Sequence, residues 1–211
     1  MRLTRFIFAL CLAMFSTGIM AQKDARKVLD NAASKIRKSG NVKVDFTATS
    51  FTGTKEEGSI SGTLLLQGKK FQLTTPDMVS WFNGKTEWTY LPENDEVNIT
   101  QPTDKEIQAV NPYVFLDLYK KGYRISMKES SLRGTATYEV HLEAERSDMA
   151  AQELYIDIRK SDNMPLCVRV RQDKVWNRIS VRNFQGNQKF TDADFTFPRD
   201  RYPDAEIIDL R

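Results

Sequence analysis

Residues 79–91 have the sequence VSWFNGKTEWTYL, and this stretch decides how the chain folds. Two short aromatic runs flank Asn83-Gly84, the dipeptide that most readily takes the positive φ angles of a tight hairpin turn. Trp81 lies on one strand, and Trp88 and Tyr90 share a face of the other. A two-stranded ribbon cannot bury so large an apolar surface by itself. The hairpin therefore predicts a larger sheet around it.

Alternation of apolar and polar residues predicts strands through most of the chain. Tight turns between these strands imply antiparallel neighbours, and ten or eleven strands predict a sheet that curls rather than staying flat. The predicted strands cover residues 42–48, 60–67, 69–74, 79–83, 86–91, 123–129, 137–144, 154–159, 166–173, 176–184 and 194–197.

Helical spacing appears in two places. Residues 24–39 predict one amphipathic helix, with Asp24 as N-cap and Gly40 as its stop. Residues 102–121 contain two prolines and a run that is apolar nearly all round, so a helix there must be covered or must insert into something. We expect it to cover the concave face, with Phe115 and Leu118 pointing into a cavity. The fold class is thus mainly β (α+β): a single curved antiparallel half-barrel with an N-terminal helix and a central helical lid.

The first residues resemble an export signal. Arg2 and Arg5 accompany an apolar run over residues 6–15, and Met20-Ala21 offers a small-residue cleavage site. This pattern predicts a cleaved signal peptide over residues 1–21 and one domain over residues 22–211. Cleavage removes two of the 31 basic residues and none of the 28 acidic ones, leaving a net charge of +1. A net charge this small does not favour binding to nucleic acid, which is strongly negative. We expect an exported, periplasmic monomer.

The chain has few residues that could catalyse a reaction or bind a metal ion. His141 is the only histidine, and its alternation with apolar neighbours favours a structural position on a strand. Cys167 is the only cysteine after the signal peptide, and it shares its strand face with Arg169 and Arg171, which predicts the solvent side. No hydrolase elbow, phosphate loop or zinc-ligand spacing occurs. The sequence therefore predicts no catalytic site, no metal site and no cofactor.

Two motifs resemble a known family. Asn83-Gly84-Lys85-Thr86-x-Trp88-x-Tyr90 is similar to the Asp-Gly-Lys-x-x-Trp-x-Tyr hairpin of the LolA family, the periplasmic carriers of outer-membrane lipoproteins. Phe195-x-Phe197 followed by Ile208-Asp209 resembles that family's C-terminal end. The resemblance implies an unclosed half-barrel lidded by helices that ferries acylated lipoproteins or another lipid. It also implies two partners, an inner-membrane lipoprotein-releasing transporter and an outer-membrane acceptor.

One departure concerns the closure of the lid. The family has Lys-Arg-Pro or Arg-Pro after its second strand pair, and that arginine is understood to hydrogen-bond the lid. Here residues 67–71 have the sequence QGKKF, without Arg or Pro. A latch through Lys69 would be weaker than one through arginine, because an ammonium group lacks the planar pair of parallel N–H donors that a guanidinium group offers.

Three functions stay open at this point: a lipoprotein or lipid carrier, a lipid- or partner-sensing module on the same scaffold, and a periplasmic enzyme. A bound apolar ligand would favour the first two, and its transfer to a membrane acceptor would separate carrier from sensor. The residues predicted to line the cavity and lid are Phe46, Leu64, Leu66, Trp81, Trp88, Tyr90, Phe115 and Leu118, with Lys69 as the latch.

Overall fold

The computed structural model describes residues 23–103, 106–107, 119–149 and 151–211. Its first element is helix α1, residues 23–38. Ala25, Leu29, Ala32 and Ala33 lie at helical spacing and are at most 2% exposed, so this face binds α1 to the sheet. The chain leaves the helix through Gly40, whose φ of +61° suits glycine. The predicted N-terminal helix is confirmed.

Twelve strands follow α1 within the described ranges, one or two more than predicted. Their bounds are β1 Val42–Thr52, β2 Lys55–Gln67, β3 Lys70–Thr74, β4 Val79–Phe82, β5 Glu87–Leu91, β6 Glu96–Thr100, β7 Tyr123–Leu132, β8 Thr135–Ala144, β9 Glu153–Arg159, β10 Pro165–Gln172, β11 Val175–Gln185 and β12 Glu206–Asp209.

All twelve strands form one open sheet in the order β12-β6-β5-β4-β3-β2-β1-β11-β10-β9-β8-β7. Every pairing is antiparallel except that of β12 with β6, which is parallel. Register shifts at Asp45/Phe46, Ser50/Phe51 and Pro165/Cys167 mark bulges, which bend strands and increase their twist. The architecture is mainly β: the long helix α1 accompanies a large, open, curved antiparallel sheet, as the sequence predicts. The predicted central helical lid falls almost entirely outside the described residues.

The hairpin that decides the fold forms, but its turn is not the predicted two-residue one. Gly84 takes a φ of +100°, whereas Asn83 keeps a negative φ. The amide of Asn83 donates to the carbonyl of Thr86, and the Asn83 side chain accepts from the amides of Lys85 and Thr86. Asn83 therefore closes a four-residue loop through its side chain, which is a characteristic use of asparagine in turns.

The prediction of a strand over residues 194–197 is wrong. A 3₁₀ helix occupies Asp192–Phe195, and Thr191 and Asp194 cap its N-terminus reciprocally. This cap competes successfully with the strand-like Phe-x-Phe alternation. The turn belongs to what we call the C-terminal segment, residues 187–205, which precedes β12.

Helix α1 packs on one face of the sheet, here called the helix-bearing face; the opposite one is the outer face. Leu142, Leu154 and Ile156 form the centre of the core between α1 and strands β7–β10, and each is fully buried. No helix within the described residues is long and apolar enough to cross a membrane.

Candidate functional site

The helix-bearing face carries a second apolar cluster beside the core under α1. Its buried members are Val42, Val44, Leu64, Phe71 and Phe82, contributed by strands β1–β4. The register explains the grouping, since Val44 pairs with Leu64 and Phe71 pairs with Phe82. The two phenyl rings lie 5.4 Å apart.

The rim of this second cluster is only half-buried. Phe46, Leu66 and Leu73 pack against its buried members without being enclosed. Ile107, which lies in the central segment (residues 102–121), also packs against the cluster. The cluster is therefore an apolar floor with a half-buried rim, and Ile107 contacts it.

Gly62 leaves room for the ring of Phe46 at the edge of this apolar floor. It lies opposite Phe46 across β1 and β2. A Cβ atom at Gly62 would come 2.4 Å from the carbonyl oxygen of Thr74 and 3.0 Å from Cζ of Phe46. A larger residue at this position would displace the ring and the neighbouring strand.

A cavity of about 470 Å³ continues from the floor toward the end of α1. Val181 and Phe184 of β11 line it and also pack against the second cluster. Cationic side chains surround it, namely Lys35, Arg159 and Arg182, and Arg159 forms an ion pair with Asp162 at 2.7 Å. This volume lies within the range of small-molecule sites, with an apolar wall and a basic rim.

Both described ends of the central segment are fixed. At its start, the hydroxyl and amide of Thr103 donate to Oε2 of Glu106, and the Ile107 amide donates to the Thr103 carbonyl at 3.0 Å. The two hydrogen bonds that Glu106 accepts from Thr103 lower the pKa of its carboxyl group, and the bond from the Thr103 amide has the larger effect. At its end, Tyr119 is 3% exposed, and its hydroxyl donates to Asp30 of α1 at 2.5 Å.

The predicted cavity residues fall on two opposite faces. Phe46, Leu64 and Leu66 come together on the helix-bearing face. Trp81 directly precedes Phe82 in β4. Because successive side chains of a strand point to opposite faces, the Trp81 side chain lies on the outer face. Trp88 pairs with Trp81 and therefore shares that outer face, as does Tyr90 two residues later.

The outer-face aromatic residues pack against the C-terminal segment. Trp81 is 4% exposed and lies 5.6 Å from Phe197 and 6.0 Å from Tyr202, measured between ring centroids. Tyr90 lies 4.4 Å from Tyr202. The expectation that Trp81, Trp88 and Tyr90 share a cavity with Phe46 is thus corrected, because alternation along β4 and β5 directs their rings away from the second cluster.

Three further predicted residues concern the lid. Phe115 and Leu118 lie outside the described residues. Lys69 lies exposed in the β2–β3 turn, and the adjacent Lys70 forms an ion pair with Asp192 of the C-terminal segment at 2.6 Å. A latch at Lys69 stays a prediction.

Sequence reasoning missed five members of this site: Phe71, Leu73, Phe82, Ile107 and Tyr119. Phe71 and Leu73 alternate within β3 and could have been assigned to the face of Leu64 and Leu66. Tyr119 was recognised only as part of an apolar run, because its bond to Asp30 joins residues 89 positions apart.

On strands β8–β10, the outer face carries an ion-pair network. Glu139 accepts from Arg169 at 2.5 Å and pairs with Lys128 at 2.8 Å. Burial raises the pKa of Glu139, but the hydrogen bonds from Lys128 and Arg169 outweigh it and hold that pKa below its usual value. Asp157 has a raised pKa, because burial outweighs the nearby Arg169.

His141 and Cys167 lie on the same outer face as this network. His141 stacks on Tyr155 at 4.3 Å, and its Nε2 lies 2.9 Å from Glu153. Cys167 shares the face of Arg169 as predicted, but it is 3% exposed and not on the solvent side. Burial raises the pKa of its thiol, so it is a poor nucleophile. Within the described part of the chain, no group of three or more His, Cys, Asp or Glu side chains could hold a metal ion.

Comparisons with known proteins identify a family for this chain. The family model described as "Outer membrane lipoprotein carrier protein LolA" matches residues 15–174. No curated protein matches the chain.

Solved structures resemble the chain at low identity. An uncharacterized conserved protein from Thermus thermophilus is 15% identical with a TM-score of 0.56, over 88% of this chain and 99% of that one. LprF from Mycobacterium bovis is 12% identical with a TM-score of 0.53, over 83% and 97%. Lipoprotein LppX from Mycobacterium tuberculosis is 9% identical with a TM-score of 0.51, over 80% and 98%. At these identities the likeness shows the fold alone.

Proposed function

Because the chain belongs to the family of the outer membrane lipoprotein carrier protein LolA, we propose that it binds the acyl chains of lipoproteins and ferries them from the inner to the outer membrane. The acyl chains occupy the apolar floor and the adjoining cavity on the helix-bearing face. Residues 1–21 act as a cleaved signal peptide that delivers residues 22–211 to the periplasm. A lipoprotein-releasing transporter and an outer-membrane acceptor are the partners that this role requires.

The half-buried rim of the second cluster is the observation that carries this proposal. Phe46, Leu66 and Leu73 are half-buried, so they keep exposed apolar surface next to the buried members of the cluster. Burial of acyl carbons against such surface is favourable by about 0.8 kcal/mol per methylene. Lys35 and Arg182 at the cavity rim suit an anionic or polar head that stays near water.

The central segment supplies the cover in this proposal. Ile107 contacts the floor and Tyr119 contacts α1, so the described residues of the segment touch both apolar clusters. Phe115 and Leu118 lie between these two contacts in sequence, and we propose that they face the acyl chains. A carrier must release its ligand, so its closed state should be favoured by only a few kcal/mol.

The three consecutive leucines of β2 offer a direct test. Leu64 and Leu66 belong to the second cluster, whereas Leu65 between them faces the outer side. Delipidated protein should bind dansyl-undecanoic acid with a micromolar or lower Kd, measured by fluorescence titration. Leu66→Ser should weaken this binding about tenfold, whereas Leu65→Ser, an identical change on the other face, should not.

Binding alone does not separate a carrier from a sensing module. Protein loaded with a triacylated lipoprotein should transfer it to outer-membrane vesicles but not to protein-free liposomes. Saturable binding without transfer would favour the sensing module. Absence of saturable acyl binding to folded, delipidated protein would contradict both the carrier function and the lipid-sensing function.

A further inference from the structure

A groove of about 310 Å³ lies on the outer face of the sheet, away from the apolar floor and cavity. We call it the arginine groove and define it by Phe51, Tyr155, Arg169, Trp176 and Arg178, which line it. Strands β1, β9, β10 and β11 contribute these side chains. The groove has no part in the acyl-binding function proposed above.

Three rings form the apolar part of the groove. Phe51 pairs with Trp176 across β1 and β11, and Trp176 lies 5.8 Å from Tyr155. All three are half-buried. The aromatic residues at the other end of the outer face contact Phe197 and Tyr202, but within the described ranges no ring of the C-terminal segment stacks on these three. His141 and Arg169 already cover the Tyr155 ring, and Arg171 lies 5.9 Å from the centroid of the Trp176 ring. The half-buried Trp176 ring therefore offers the apolar surface that a flat ligand can contact.

Two guanidinium groups form the polar part. Arg169 lies over the Tyr155 ring at 4.8 Å, and Arg178 lies over the Phe51 ring at 4.9 Å. A guanidinium that stacks by its face keeps its N–H edge free for an oxyanion, which it can bind through two parallel hydrogen bonds.

The two arginines differ in their charge balance. Glu139 neutralises Arg169 at 2.5 Å, and Asp157 lies 3.5 Å from it. Arg178 is exposed, and among the described residues it has no carboxylate partner. No acidic side chain lines the groove, so its net charge is positive.

We propose that the arginine groove binds a small organic anion, whose flat ring packs on Trp176 and whose carboxylate or phosphate accepts hydrogen bonds from Arg178. The volume lies at the lower end of ligand sites and suits a single ring system with its acid group. Positive charge excludes cations, and the open polar rim disfavours a long acyl chain. This site can therefore be occupied independently of the helix-bearing face.

Four probes test this ligand class by isothermal titration: 2-naphthoate, 2-naphthyl phosphate, the neutral 2-naphthalenemethanol and inorganic phosphate. The two ring-bearing anions should each bind at least about tenfold more tightly than the neutral ring or the bare anion. The tighter of the two then identifies the preferred acid group. Raising the salt from about 50 mM to about 500 mM should weaken both, because Arg178 is exposed to screening.

Substitutions locate the site. Arg178→Gln should weaken 2-naphthoate binding about tenfold and Trp176→Leu about fivefold. Lys174→Gln removes the same charge from the turn of the same β10–β11 hairpin and should have no effect, since Lys174 does not line the groove. Arg178→Gln changes an exposed side chain, so the variant should fold, and circular dichroism checks this.

Three results would overturn the proposal. The first is absence of saturable 2-naphthoate binding at millimolar concentration. The second is equal weakening by Arg178→Gln and Lys174→Gln, which would indicate non-specific attraction. The third is displacement of 2-naphthoate by dansyl-undecanoic acid, which would place the probe on the helix-bearing face. Loss of acyl binding alone would contradict the carrier function and leave this site standing.

Discussion

The hydroxyl of Tyr119 donates a 2.5 Å hydrogen bond to Oδ1 of Asp30 and so ties the end of the central segment to α1. Arg26 of the same helix reinforces this tie by donating to the Tyr119 carbonyl at 3.3 Å. Helix α1 thus packs on the core under it and holds one end of the proposed cover.

Tyr119→Phe should lower the free energy of unfolding by about 1 kcal/mol, because it removes the bond to Asp30 and leaves the ring in place. It should also speed hydrogen exchange in residues 102–121 more than in the strands. Urea unfolding and mass-spectrometric exchange measure the two effects. Tyr138→Phe on β8 is the control, and similar exchange in both variants would contradict the tie.

Gly62→Ala should destabilise the fold by about 1–3 kcal/mol, because its Cβ would collide with the Thr74 carbonyl and with the ring of Phe46. Gly58→Ala on the same strand meets nothing within 4 Å and should cost far less. Phe46→Leu combined with Gly62→Ala should recover part of the loss and not all of it, since the Thr74 carbonyl is backbone. Equal thermal stability of the two alanine variants would argue against the close contact.

Several features of the fold could be predicted from sequence because they depend on local alternation. Alternation assigns Leu64 and Leu66 to one face and Leu65 to the other, but it does not state which face α1 will cover. That choice depends on contacts such as that of Trp81 with Phe197, which joins residues 116 positions apart. The hairpin was therefore predicted correctly as a hairpin, and its rings were assigned to the wrong face.

Other errors have local causes. Strand β6 was not predicted, because Glu96 and Asn98 are residue types depleted in strands and they interrupt the alternation of Val97 and Ile99. The capping of Asp192–Phe195 by Thr191 and Asp194 produces a 3₁₀ helix where the Phe-x-Phe pattern favours a strand. Cys167 is buried although its neighbours at alternate positions are arginines, because those long side chains cover the sheet as they reach Glu139 and Glu153.

The outer-face hairpin rings should affect stability and leave acyl binding unchanged. Trp81→Ala should cost about 3–5 kcal/mol, because its ring is almost fully buried against Phe197 and Tyr202. Trp88 is half-buried, so Trp88→Phe should cost much less and leave the Kd for dansyl-undecanoic acid unchanged. Weaker acyl binding by the folded Trp88→Phe protein would restore the hairpin to the candidate cavity.

Glu139 should make stability depend on pH in a defined direction. Its folded-state pKa is lowered, so the stabilisation is present above the unfolded-state pKa and is lost as the pH falls through the folded-state value. Glu139→Gln should therefore lower the free energy of unfolding by about 1–2 kcal/mol at pH 7. The difference from the parent should shrink below about pH 4.

Glu143→Gln is the control for this pH dependence. Glu143 lies on the same strand, but both it and its partner Arg124 are at least half exposed. Exposed pairs contribute little, so this variant should follow the parent at every pH. Unfolding in urea across the pH range measures both variants. A constant difference between Glu139→Gln and the parent would contradict the assigned direction.

The contact of Ile107 with the second cluster should control how long an acyl ligand stays bound. Ile107→Ser removes apolar surface from the half-buried start of the central segment, so the closed state should lose about 1–2 kcal/mol. Dansyl-undecanoic acid should then dissociate about tenfold faster in stopped-flow measurements. Ile207→Ser makes the same chemical change on the exposed edge strand β12 and should leave the rate unchanged. If Ile107→Ser releases the probe no faster than Ile207→Ser, and ligand does not slow hydrogen exchange in residues 102–121, then the segment is a fixed plug and release must occur elsewhere.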